Sequence, residues 1–61
     1  MKFKELHRII RQAGWILLPG KGKGSHKIYQ KDGKKYTVPY HSSKEIDNSF
    51  ARLILKEMGI I

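Results

Sequence analysis

Ser25-His26-Lys27-Ile28-Tyr29-Gln30-Lys31-Asp32-Gly33-Lys34-Lys35-Tyr36-Thr37-Val38-Pro39 spells a β-hairpin. Asp32-Gly33 is a strong signal for a two-residue turn between two strands. Pro39 ends the second strand, because proline cannot donate to a ladder. Alternation along the first strand puts His26, Ile28 and Gln30 on one side and Lys27, Tyr29 and Lys31 on the other. If Ile28 is the core residue, His26 shares the inner side and reaches solvent only at the end of the sheet. If Tyr29 is the core residue, His26 lies on the open face. The first arrangement is the expectation.

Upstream, Pro19-Gly20-Lys21-Gly22-Lys23-Gly24 breaks regular structure four times in six residues and predicts a mobile basic loop. Before it, Trp15-Ile16-Leu17-Leu18 is too short for a helix and rich in strand formers, so it reads as a first strand. Phe3, Leu6, Ile10 and Ala13 recur at i, i+3, i+7 and i+10 and predict a helix from about Phe3 to Ala13, stopped by Gly14. Lys4, Arg8 and Arg11 gather on a different face of that helix, and His7 reads as a boundary residue beside the apolar stripe. Downstream, residues 40–47 read as a connection, with a second helix from about Asn48 to Met58. Its core stripe is Phe50, Ile54 and Met58, with Leu53 beside them, and Gly59 stops it. Asp47, Asn48 or Ser49 could each cap its start. The whole chain, residues 1–61, therefore reads as a single α+β domain in the order α-β-β-β-α. Two helices would cover one face of a three-stranded antiparallel sheet.

Composition narrows the function. Thirteen Lys and Arg stand against five Asp and Glu in 61 residues, for a formal charge of +8 and a pI near 10.1. A small basic domain of this kind most often meets phosphate, and nucleic acid is the commonest polyphosphate. The absence of cysteine excludes disulfides and thiolate chemistry. The longest apolar run, Trp15 to Leu18, falls far short of the ~20 residues of a membrane span, and the first residues carry no apolar signal. The cytoplasm is the expected location.

The stretch from Gly20 to His26 is the most informative for chemistry. A glycine-rich backbone lets a ligand approach closely, and Lys21, Lys23 and Lys27 surround His26 with positive potential. Such a field attracts a phosphodiester and suits an imidazole that must accept a proton. The bland alternative, a solvated turn with a surface histidine, has about equal weight on local features alone. No Gly-Lys-Ser/Thr stands at Walker A spacing. His41, at the exit of the third strand, could be a second acid/base group or could simply hydrogen-bond its turn. Tyr29 and Tyr36 could stack bases, although packing within the sheet is the more frequent role. His7, His26 and His41 lie on separate elements without an i, i+4 pair or a nearby carboxylate in sequence, which argues against a metal site.

Gly24-Ser25-His26 after a basic loop, Tyr29 three residues on, Val38-Pro39-Tyr40-His41, the closing Ile54-Leu55-Lys56-Glu57-Met58-Gly59-Ile60 and the early Gly14-Trp15 together resemble the HicA toxins of toxin–antitoxin pairs. The resemblance covers nearly the whole chain. It implies a fold like a double-stranded RNA-binding domain, a ribonuclease that cleaves mRNA with His26 as its catalytic residue, and a HicB-type antitoxin that blocks that site. No cofactor is implied. Lys21, Lys23, Gly24, Ser25, Lys27, Lys4, Arg8 and Arg11 are the expected RNA contacts, and His41, Tyr29 and Lys27 are candidates for the general acid. One departure stands out. Ordinary double-stranded RNA-binding domains start the second helix with lysines, whereas this chain has Asp47-Asn48-Ser49, which argues against duplex RNA gripped in that way. The competing reading is a non-catalytic RNA-binding module of the same fold. A third is a small structural protein that binds an acidic partner.

Overall fold

A computed structural model describes residues 1–19 and 26–61. The order is α1 (Phe3–Gln12), β1 (Ile16–Leu17), β2 (His26–Lys31), β3 (Lys34–Pro39) and α2 (Asn48–Glu57). The strands form one antiparallel sheet in the order β1-β2-β3. The α-β-β-β-α order and the α+β class read from the sequence are those of the structure. Most of the predicted loop, with Lys21, Lys23, Gly24 and Ser25, lies outside the described residues.

The hairpin closes as its turn residues require. Lys31 pairs with Lys34, and Asp32 and Gly33 both hold positive φ, 51° and 79°. That is the backbone of a turn whose twist matches the flanking strands. Gly14 ends α1 at φ +100°, a conformation that side chains with a Cβ adopt only under strain. The ammonium of Lys31 donates to the Ala13 carbonyl at 2.8 Å, so the hairpin side of the sheet satisfies one of the orphan carbonyls of α1. At the other end, the Asp47 carboxylate accepts from the N–H groups of Ser49 and Phe50 at 3.0 and 3.2 Å. Of the three candidate caps, Asp47 is the one used. A bridge between Lys2 and Glu45, with the Ile46 N–H donating to the Met1 carbonyl at 2.8 Å, ties the start of α1 to the connection before α2.

The core gathers Phe3, Leu6 and Ile10 of α1, Trp15, Tyr29 of β2, Val38 of β3, and Ile46, Ala51, Ile54, Leu55 and Met58. Three expectations are corrected by it. Tyr29 is the inward residue of β2, at 0% exposure, whereas Ile28 is only partly buried on the opposite face. Cross-strand pairing carries this parity over the sheet: Leu17, Tyr29 and Tyr36 line up on the helix side. The open side carries His26, Ile28 and Gln30 with Pro39, Thr37, Lys35 and Ile16. The second correction is His7, which is buried at 2% exposure rather than at the boundary. The two are linked, because a buried tyrosine needs a partner for its hydroxyl, and His7 supplies it. The third is the face of α2. Ala51, Ile54, Leu55 and Met58 point inward at i, i+3, i+4 and i+7, leaving Phe50 and Leu53 46% and 51% exposed. Phe50 is one residue out of step with that stripe, a rotation of about 100° on a helix with 3.6 residues per turn.

Candidate active site and basic cleft

Two neighbouring residues at the start of β2 point to opposite sides of the sheet. His26 is the first residue of the strand, exposed on the open face, and pairs with Pro39 across the sheet. Lys27 is on the helix side and partly buried. Its ammonium lies 5.6 Å from the centroid of the Tyr40 ring, within cation–π range. His41 is exposed just beyond β3 and meets Phe3 edge-on, with ring centroids 5.2 Å apart.

Below Lys27 lies a polar pair that bridges helix and sheet. His7 Nε2 is 2.8 Å from the Pro39 carbonyl oxygen and His7 Nδ1 is 2.6 Å from the Tyr29 hydroxyl. A carbonyl only accepts, so Nε2 of the neutral ring carries the hydrogen and Nδ1 accepts from Tyr29. The Tyr40 ring stands perpendicular to His7, with ring centroids 5.0 Å apart. Burial holds the His7 pKa below its ordinary 6.5; the Pro39 hydrogen bond opposes this, and the charges of Arg11 and Lys27 add to it. Burial likewise raises the Tyr29 hydroxyl above its ordinary range, partly offset by Arg11. Tyr29, weighed from the sequence as a general acid, is thus fully enclosed, with its proton directed at His7. Tyr36, the other tyrosine of the pair, donates to the Glu57 carboxylate.

The linkage has a definite sign. The unfolded chain binds a proton at His7 near pH 6.5, whereas the folded chain does so only at lower pH. Stability from this site is complete above pH 6.5 and is lost as pH falls from there through the folded value. The expected result is a lower urea midpoint at pH 5 than at pH 7.5. A midpoint that does not move would show that His7 can be protonated in place.

The expected basic face of α1 is found, with Lys4, Arg8 and Arg11 beside one groove. Arg8 is 3.6 Å from Glu5, an exposed pair of little energetic weight. Lys4 and Arg11 converge with Lys27 on a cleft of about 280 Å³ whose other walls are His7, Leu17, Tyr29 and Tyr40. Among the described residues, no carboxylate lines it. Lys4, Arg8 and Arg11 together border the wider groove of about 590 Å³, where Glu5 and Glu45 add negative charge. His7 and Tyr40 were missed as parts of a site. For His7 a signal existed: Phe3, Leu6, His7 and Ile10 stand at i, i+3, i+4 and i+7, the spacing of a buried stripe.

Among the described residues, no helix is long and apolar enough to cross a membrane. A family model described as HicA toxin of bacterial toxin-antitoxin matches residues 3–60 of the chain. No curated protein and no solved structure matches significantly.

Proposed function

Because the chain belongs to the HicA toxin family, and is therefore a toxin of a toxin–antitoxin system, we propose that it acts as a metal-independent endoribonuclease on mRNA. His26 is its general base and a HicB-type protein its inhibitor. The observation that carries this reading is the exposure of His26 at the start of β2, one residue before Lys27, whose side chain turns to the basic cleft on the other side of the sheet.

RNA contains its own nucleophile. A neutral His26 removes the proton of the 2′-hydroxyl, and the resulting oxygen attacks the adjacent phosphorus. The bond from phosphorus to the 5′-oxygen breaks, and that oxygen takes a proton from a general acid. His41, exposed just beyond β3, is the remaining candidate, because the Lys27 ammonium turns to the other side of the sheet over Tyr40. Proton transfer of this kind contributes about 10²–10⁴-fold, and fixed cations stabilise the charge gathering on the phosphate oxygens. An inhibitor of so cationic a surface is expected to present acidic groups.

The test is the chemistry of the ends. Purified toxin should cut mRNA in the presence of EDTA and leave 2′,3′-cyclic phosphates. Products ending in 3′-hydroxyls, or activity lost to EDTA, would sink the mechanism.

A further inference from the structure

We infer that the cleft formed by Lys4, Arg11 and Lys27 is a phosphodiester subsite that selects single-stranded RNA, taking a phosphate next to the one presented to His26. The inference rests on the nuclease reading for its link to His26, but not for the binding itself.

Among the described residues, three cations from two elements converge on one small concave space, and no carboxylate answers them there. One of the three is held in place: the Lys27 ammonium sits over the Tyr40 ring. Preorganised donors lose less freedom when a ligand arrives, so more of their attraction is realised as affinity. The floor is the buried His7–Tyr29 pair, whose hydrogen bonds are made among Tyr29, His7 and Pro39. An anion therefore has the cations of the wall as its partners.

Selection for a single strand follows from shape and from what occupies the other end of the molecule. A cleft of about 280 Å³ is at the small end of ligand sites, which run from about 300 to 1,000 Å³. It suits a phosphate with its sugar and not the broad flank of a duplex. A second phosphate contact could be made by the N-terminus of α2, where unpaired N–H groups ordinarily attract anions. That position is already filled by the Asp47 carboxylate. Lys27 and His26 are consecutive residues facing opposite sides of the sheet. A flexible strand wrapping over the end of β2 can offer one phosphate to each, which a stiff duplex cannot do.

The probe is a 2′-O-methyl oligoribonucleotide, which lacks the attacking hydroxyl and so reports binding without cleavage. Wild type, Lys4→Gln/Arg11→Gln and Lys27→Gln are compared over a range of salt, with folding checked by circular dichroism. Lys4 and Arg11 are exposed on α1, so the double variant should fold. Its affinity is expected to fall at least tenfold. The slope of log affinity against log salt should shrink by about 0.7, the value for one single-strand phosphate contact. Lys27→Gln should remove about half as much slope, and a duplex of the same sequence should bind wild type more weakly. An unchanged slope in the double variant, or a preference for duplex, overturns the proposal. So does loss of antitoxin binding with oligonucleotide affinity intact, which would give the cleft to protein carboxylates. Should wild type cut no RNA while the slopes fall as stated, the nuclease reading fails and the subsite stands.

Discussion

His26→Ala is expected to lower the rate of RNA cleavage by at least 10²-fold, the lower end of what a positioned general base contributes, while the protein stays folded. The side chain is exposed and forms no hydrogen bond among the described residues, so its removal should change stability by no more than about 0.5 kcal/mol. Its neighbours keep the charge that attracts RNA. Binding of an uncleavable oligonucleotide should therefore stay within a few-fold of wild type, and the loss should fall on kcat rather than KM. Growth and RNA integrity in cells expressing wild type or variant give the same contrast in vivo. Growth arrest by the variant, with unchanged cleavage, would remove His26 from the chemistry. Equal and undetectable cleavage by both would favour a simple RNA-binding module.

His7→Ala is expected to lose about 2–4 kcal/mol of stability, the largest effect of any single substitution in the core outside the apolar cluster. It opens a cavity and leaves the Tyr29 hydroxyl buried without a partner, and an unsatisfied buried group alone costs about 1–3 kcal/mol. At roughly 0.05–0.15 kcal/mol per residue, a chain of 61 residues has about 3–9 kcal/mol in all. At about 4–8 °C per kcal/mol, the melting temperature should drop by about 8–30 °C. Tyr29→Phe should cost less, because it strands only the ring nitrogen. The double variant His7→Leu/Tyr29→Phe removes both polar partners and should recover most of the loss. It should also lack the fall in stability below pH 6.5. Additive losses in the double variant would mean that the two residues are not coupled through their hydrogen bond.

This pair also explains where reading the sequence succeeded and where it did not. The hairpin was legible because Asp32-Gly33 encodes its turn locally, and the helix ends were legible because Gly14 and Gly59 act on their own backbone. The strand parity was not, because Ile28 and Tyr29 are both plausible core residues until the partner of the hydroxyl is known. That partner sits 22 residues away on a helix, where a histidine on the apolar stripe looks like an edge residue. The face of α2 failed for a related reason. Phe50 and Leu53 outweigh Ala51 by hydrophobicity, but the stripe Ala51-Ile54-Leu55-Met58 is the one directed at the interior. Of the candidate site, His26 and Lys27 were legible as neighbours at a strand start. The convergence of Lys27 with Lys4 and Arg11 required the packing of α1 on the sheet.

Among the described residues, strand β3 has a neighbour on one side only, so one flank of a six-residue strand is left without a ladder. Unguarded, such a flank recruits further copies into fibrils. Lys34 and Lys35 set repelling charge at its beginning, and Pro39 interrupts donation at its end. Opposite, β1 is only two residues long and gives a stray strand little to template on. A chain standing alone thus carries its own defence against edge-to-edge pairing with further copies.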